Sequence, residues 1–282
     1  MATRSEPNAS RATEPAHDGR GDPQFSEVLS LVSGTPTLHN KTVIVTGAGG
    51  GIGRVTAQVL AAAGASVAIT DLTEELLKPV HEELRAAGAD PLVEAIDASD
   101  FASFRMLCER TAAELGPVDG LVNVAGLWEM APVERIAPEA WTRVLAANLQ
   151  TTFAGCQAIL PAMIERGSGS IVNVASTAGE YGSVRPASHY AAAKGGVIAL
   201  TKSLAREASP HGVRVNAVSP GPIDTAALGA TSEDDRVAIG SRTLLGRPGR
   251  PHEIASACVF LLSSFSGFVT GHVLRVNGGS LL

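Results

Sequence analysis

From Lys41 onward, short runs rich in Val and Ile alternate with longer stretches whose apolar residues recur at helical spacing. The runs fall at 42–46, 66–71, 91–97, 121–124, 170–175, 214–219 and 273–277. They are apolar at nearly every position, as in strands buried on both faces, where alternation is lost. The periodic stretches at 54–63, 74–87, 101–114, 138–164, 189–208 and 253–262 read as helices. Strands alternating with helices predict an α/β chain: a doubly wound, mainly seven-stranded parallel sheet with helices on both faces. No repeat or second composition regime interrupts residues 39–282, which read as one domain. Residues 1–38 are rich in Pro, Ser, Gly and charge and read as a mobile N-terminal extension.

Composition narrows the function classes. The 282 residues are 45% hydrophobic and 18% charged, which excludes a disordered chain or a charge-rich coiled coil. Only 4% are aromatic, against 30 Gly, so platforms for stacking single-stranded nucleic acid are absent from the picture. The net charge is −6 and lysine occurs only at 41, 78, 194 and 202, which argues against a nucleic-acid partner. Cys108, Cys156 and Cys258 are far apart with no CxxC pair, and the His residues are scattered. That pattern predicts free thiols in a reducing cytoplasm and no metal site. No apolar run approaches the ~20 residues of a membrane helix, so no membrane partner is expected. A secretory signal is not read at the N-terminus, and the acidic residues among 1–38 do not suit a mitochondrial presequence.

Thr46-Gly47-Ala48-Gly49-Gly50-Gly51-Ile52-Gly53 follows the first strand and opens the first helix. Glycines there permit a tight turn and let the backbone approach a pyrophosphate at the positive end of the helix. A purely structural turn has the same composition; the strand, helix and strand around it and Asp71 beyond them favour a dinucleotide. Asp71 ends the second strand, where a carboxylate can accept hydrogen bonds from an adenosine ribose diol. The alternative role for Asp71 is a helix cap. A 2′-phosphate would face that carboxylate, Leu72 and Gly50 supply no cation, and Arg54 is the only one nearby. The sequence therefore predicts NAD rather than NADP.

Tyr190 and Lys194 stand one helical turn apart on one face. A free phenol, with pKa ~10, is a poor base at neutral pH, and a neighbouring ammonium favours its ionised form. The pairing predicts acid–base chemistry at a substrate oxygen, with a depressed Tyr190 pKa.

With the turn at 46–53, Asp71, Asp97, the NVAG stretch at 123–126, Asn148, Ser176, Tyr190, Lys194, PGPIDT at 220–225 and VNGG at 276–279, the chain resembles the short-chain dehydrogenase/reductase family over about residues 40–279. The resemblance implies a Rossmann fold, a nicotinamide dinucleotide and hydride transfer to or from a carbinol carbon. It implies Tyr190 as general acid or base, Ser176 holding the substrate oxygen and Lys194 on the nicotinamide ribose. Asn148 would hold a proton-relaying water. Cofactor contacts would come from Gly47, Gly50, Gly51, Ile52, Gly53, Asp71 and Leu72, then Asp97 and Ala98 at the adenine. Asn123, Ala125 and Gly126 would follow, with Pro220, Gly221, Ile223 and Thr225 around the nicotinamide. Asp97 has helix capping as its alternative, and Asn148 a cap or core amide. A homotetramer joined through 138–164 and 188–209 is implied as well. Two positions depart from the family pattern: Val124, expected to affect strand packing, and Asn277, which bears on the C-terminal turn and subunit contacts.

The substrate pocket is expected after Gly126, between Ser176 and Tyr190, and from Thr225 to about Leu245, with Trp128, Glu180, Tyr181, His189 and Leu228 as candidates. Acidic residues at 233–235 between Gly229 and Gly240 suggest a mobile lid. The first reading is an NAD-dependent dehydrogenase for a secondary alcohol or its ketone. The alternatives are an NADPH-dependent 3-oxoacyl-thioester reductase, which Asp71 opposes, and a sugar or polyol dehydrogenase. A catalytically inactive dinucleotide sensor is the alternative from another class, opposed by the presence of Ser176, Tyr190 and Lys194.

Overall fold

A computed structural model describes residues 38–228 and 232–281. The extension read at 1–38 lies outside these residues except for Leu38. That residue is buried in the main core, and its amide donates to the Ala63 carbonyl at 2.9 Å.

Seven strands form one parallel sheet: β1 (Thr42–Thr46), β2 (Ser66–Asp71), β3 (Leu92–Ala95), β4 (Val118–Asn123), β5 (Gly169–Val174), β6 (Val213–Pro220) and β7 (Val273–Val276). Their spatial order is β3-β2-β1-β4-β5-β6-β7. The chain runs outward from β1 to β3, then returns across β1 to start β4, so the order reverses between β1 and β4. Such a switch point opens a crevice at the carboxyl ends of the strands.

The helices are α1 (Gly51–Ala62), α2 (Glu74–Ala86), α3 (Phe101–Leu115), α4 (Pro138–Leu145), α5 (Thr151–Arg166), α6 (Thr177–Tyr181), α7 (Ser188–Ala208), α8 (Glu233–Gly240) and α9 (Pro251–Leu262). Alternate strand residues divide between two cores. Val43, Val45, Val67, Ile69 and Val172 pack with Ala57, Leu60, Leu77, Val80 and Leu84 on the α1, α2 and α9 side. Ile44, Ala68, Leu121 and Ile171 pack with Phe104, Leu107, Ile159 and Met163 on the α3, α5 and α7 side. Each fully buried Val, Leu or Ile contributes roughly 1.5–3 kcal/mol of transfer free energy, which makes this two-sided burial the main support of the sheet.

Several boundaries differ from the sequence expectation. β4 starts at Val118, three residues early, because Thr42 pairs with Val118 and Val43 with Gly120, the register shifting past the polar Asp119. β3 ends at Ala95 rather than 97, where the Asp97 side chain turns the chain by accepting from the Ser99 amide at 2.8 Å. The single helix expected over 138–164 is broken by a π-turn, Ala146–Gln150. The segment read as a lid contains α8, started by a reciprocal capping box between Ser232 and Asp235.

Candidate active site

The carboxyl ends of the strands open into one cleft of about 960 Å³. β1 delivers the glycine turn, β2 Asp71, β4 the 124–128 segment, β5 Ser176 and β6 the 220–225 segment. Thr46 Oγ1 accepts from the Val124 and Ala125 amides, at 3.1 Å each, tying the exit of β4 to that of β1.

Backbone proximity explains the turn composition. Gly47 has φ +64°, and a Cβ there would lie 2.8 Å from the Ala125 backbone. A Cβ on Gly53 would lie 2.0 Å from the Gly47 carbonyl oxygen, so the helix presses directly on the turn. Gly53 therefore acts by packing and does not line the cleft, whereas Gly47, Gly50, Gly51 and Ile52 do. Gly50 is the N-cap of α1 and no side chain caps that end.

Asp71 and Leu72 line the cleft. The Asp71 carboxylate accepts from the Gly49 amide at 2.9 Å and from its neighbour Leu72 at 2.8 Å. It does not cap α2, whose N-cap is Thr73. Arg54, the nearby cation, is taken up by Glu83 through a two-pronged ion pair, with one bond at 2.8 Å. Asp97 and Ala98 line the cleft, and Asp100, not Asp97, caps α3. Pro220, Gly221, Ile223 and Thr225 line its other end.

Asn123 does not line the cleft. Its side chain is buried beneath the cleft, donating to Asn173 Oδ1 at 2.9 Å, because the end of β4 turns this position toward β5. Ala125 and Gly126, one step beyond, do face the cleft. Val124 lines the cleft and also packs against the core of the α1 side. Asn277 supports the C-terminal turn within the chain, donating to the Leu281 carbonyl at 3.0 Å and accepting from the Gly279 amide at 2.9 Å.

The four candidate catalytic residues meet at the middle of the cleft. Ser176 caps α6, and its Oγ accepts from the Ala178 amide at 3.1 Å, which leaves its own O–H free to donate. Lys194 Nζ is buried, donates to the Val174 carbonyl at 2.7 Å and lies 5.9 Å from the Tyr190 ring centre. Burial lowers the Lys194 pKa to about 8. The depressed Tyr190 pKa expected from the sequence is not found. Desolvation raises it, and the Ser176 hydroxyl offsets this only in part.

Asn148 sits in the π-turn, where its Nδ2 donates to the Leu127 and Val144 carbonyls at 2.9 Å each. These bonds fix the amide so that Oδ1 is the open end, and this buried oxygen has no partner among the described residues. A Cβ on Gly126 would lie 2.6 Å from that oxygen and 3.5 Å from Lys194 Nζ, so Gly126 keeps the space between them open. A π-turn inserts one residue into helical register, which is how a helix interior comes to present Asn148 here.

Trp128 stands edge-on to Tyr190, with ring centres 4.6 Å apart and planes at 89°, and Leu228 lines the same end. Glu180, Tyr181 and His189 do not line the cleft. Glu180 turns to Ser219 and Arg275, Tyr181 lies under Arg275, and His189 is wholly buried beside Tyr190. Arg143, Val184, Arg185, Ile239, Arg242 and Leu281 line the cleft without having been singled out in the sequence. The Ser-x-x-Asp box at 232–235 was the signal that could have located the helix carrying Ile239. All three cysteines are buried, with their thiol pKa values pushed up to about 12, and no chemistry falls to them.

A family model described as enoyl-(acyl carrier protein) reductase matches residues 47–280. The 3-oxoacyl-(acyl-carrier-protein) reductase FabG of Escherichia coli is 39% identical over 242 residues, 86% of this chain and 98% of that protein. The enzyme of the same name from Thermotoga maritima is 37% identical over 247 residues, covering 87% and 99%. Nodulation protein G of Azospirillum brasilense is 40% identical over 245 residues, covering 86% and 98%. The family model's span takes in β2 to β7, the glycine turn from Gly47 and the Ser176, Tyr190 and Lys194 positions. The chain belongs to the short-chain dehydrogenase/reductase family.

Proposed function

We propose that the chain is a ketoreductase that converts a 3-oxoacyl thioester or related ketone to the secondary alcohol, reversibly, with NAD(H) preferred over NADP(H). The names of its relatives favour thioester reduction over the secondary-alcohol oxidation that the sequence alone puts first. The observation that carries the reading is the convergence of Ser176, Tyr190 and Lys194 on the cleft that also holds the glycine turn.

The cleft residues fit a nicotinamide dinucleotide. The α1 N-terminus is uncapped by any side chain, the turn before it is bare backbone, and Asp71 stands at the end of β2. Gly47, Gly50, Gly51 and Ile52 would hold the pyrophosphate, Asp71 and Leu72 the ribose, and Asp97 and Ala98 the adenine. Ala125, Gly126, Pro220, Gly221, Ile223 and Thr225 would hold the nicotinamide half. When bound, the dinucleotide supplies the hydride chemistry at the carbonyl carbon.

Ser176 donates its O–H to the substrate oxygen, and Tyr190 gives that oxygen the proton that completes the alcohol. The raised Tyr190 pKa keeps the phenol protonated at neutral pH, the form that reduction requires. Lys194 returns the proton to Tyr190, and Asn148 Oδ1 holds the water that refills Lys194. Preference for NAD(H) rests on Asp71 together with Arg54 being held by Glu83. The same two features favour the second reading, NAD-linked oxidation of a secondary alcohol.

A homotetramer is proposed through α4, α5 and α7, supported by the exposed Trp141 on α4 and Phe153 on α5; mass in solution tests it. A cytoplasmic location and no nucleic-acid partner complete the proposal.

The test is an assay of acetoacetyl thioesters, β-keto esters, ketones and secondary alcohols with all four dinucleotides, followed at the nicotinamide absorbance. The highest kcat/KM for a 3-oxoacyl thioester with NADH sustains the reading. Turnover confined to simple alcohols moves it to the second reading, and no turnover with any pair leaves a dinucleotide-binding module.

A further inference from the structure

We infer that Glu180 is the positioning residue for Ser176, locking the short helix that carries the serine against the ends of β6 and β7. The inference rests on the catalytic reading of Ser176 given above.

α6 is five residues long, Thr177–Tyr181, with Ser176 as its N-cap. A single turn of helix is far below the ~12–15 residues at which a helix holds itself together in water, so its placement must come from tertiary anchors. It has two. At one, a Cβ on Gly179 would lie 2.5 Å from the Lys194 carbonyl carbon, so α6 rests directly on the backbone of α7 at the catalytic lysine.

The other anchor is Glu180. Its Oε1 accepts from Ser219 Oγ at 2.6 Å, and its Oε2 accepts from Arg275 Nε at 2.7 Å. The Glu180 side chain is 11% exposed and Ser219 is wholly buried. Arg275 is itself braced over the Tyr181 ring, 5.2 Å from its centre. Ser219 immediately precedes Pro220 and Gly221 in the cleft, and Arg275 lies two residues before Asn277. One carboxylate therefore joins the serine-bearing turn to the strand end that delivers the proposed nicotinamide segment. Charge-assisted bonds of this length are the strong class of side-chain hydrogen bond, and the one to Ser219 is made on the buried side of the carboxylate.

Glu180 stands one helical turn from Ser176 and does not line the cleft, so its influence on the reaction passes through the serine. Replacing it by Ala removes the tie to Ser219 and loosens Arg275, so α6 can shift on its Gly179 contact and carry Ser176 Oγ away from Tyr190.

The test is a double-mutant cycle. Glu180→Ala is expected to lower kcat about tenfold with the KM for the dinucleotide unchanged. Glu180→Gln, which can still accept from Ser219, is expected to recover most of the loss. In a Ser176→Ala background, Glu180→Ala is expected to cost no further activity. An equal loss in both backgrounds, or full activity in Glu180→Ala, overturns the inference. Amide hydrogen exchange of residues 177–181 provides an arm independent of turnover. Protection there should fall in Glu180→Ala while α7 keeps its own, and unchanged exchange also overturns the inference. Absence of turnover in the unmodified enzyme would instead count against the proposed reaction, leaving the exchange result to decide the placement of α6.

Discussion

From a buried position on α7, the Lys194 Nζ donates to the carbonyl oxygen of Val174, the last residue of β5, at 2.7 Å. One neutral carbonyl does not replace the hydration of an ammonium, and burial accordingly lowers the pKa to about 8. The site holds a destabilised charge, which suits a residue kept for chemistry rather than for stability.

Between the folded pKa of about 8 and the unfolded value of 10.5, the unfolded chain binds a proton at this lysine that the folded chain does not. Stability therefore rises with pH across that window, by on the order of 3 kcal/mol at most. Lys194→Met should abolish turnover, flatten this rise and raise the melting temperature at pH 7. Parallel melting curves of the two proteins from neutral pH to about 10 check it. A Lys194→Met variant less stable at pH 7 would count against a net desolvation penalty.

Tyr190→Phe keeps the ring that meets Trp128 edge-on and removes only the hydroxyl. Proton transfer by a positioned group contributes typically 10²–10⁴-fold, and a loss of that size in kcat is expected without a comparable change in dinucleotide affinity. Because burial raises the Tyr190 pKa, ketone reduction should persist through neutral pH and fall only on the alkaline side. Alcohol oxidation should rise over the same range. A reduction profile that collapses below neutrality would remove Tyr190 as the acid.

How far the sequence reveals this site depends on whether a residue's role is local. Gly47, Asp71, Tyr190 and Lys194 sit in strand-end or helical contexts that their neighbours define, and all four line the cleft as expected. Asn148 was identifiable as a position, but the π-turn that aims it was not, because residues 138–164 carry an unbroken helical pattern. Glu180 looked like a pocket residue because it lies between Ser176 and Tyr190. Its partners Ser219 and Arg275 are 39 and 95 residues away and meet it only after β6 and β7 have joined the sheet. The Asn123 side chain is likewise held by a partner from the next strand, Asn173, that no local pattern announces.

Asp71→Ala tests the cofactor preference. Removing the carboxylate removes both a ribose acceptor and the repulsion of a 2′-phosphate, so the NADH/NADPH ratio of kcat/KM should fall by roughly 10–100-fold, the range of a hydrogen bond to a charged group. Adding Glu83→Ala, which releases Arg54 from its ion pair, should shift the ratio further toward NADPH. Equal efficiency with both dinucleotides in the unmodified enzyme would deny Asp71 this role.

The glycine turn separates packing from binding at two positions three residues apart. A Cβ on Gly53 would meet the Gly47 carbonyl oxygen at 2.0 Å, and backbone on both sides leaves no flexible atom to yield. Gly53→Ala should therefore push α1 off the turn, costing about 3 kcal/mol, the upper end of ordinary overpacking. It should weaken dinucleotide binding as a consequence. Gly50 has extended backbone, with φ −151°, and a Cβ there meets nothing within 4 Å. Gly50→Ala should keep the wild-type melting temperature. Its methyl would nevertheless stand at the open end of α1, so dinucleotide affinity should still fall if the pyrophosphate lies there. Thermal melts with NADH titrations of both variants distinguish the two effects. A Gly50→Ala protein with unaltered stability and unaltered NADH affinity would move the pyrophosphate away from this turn.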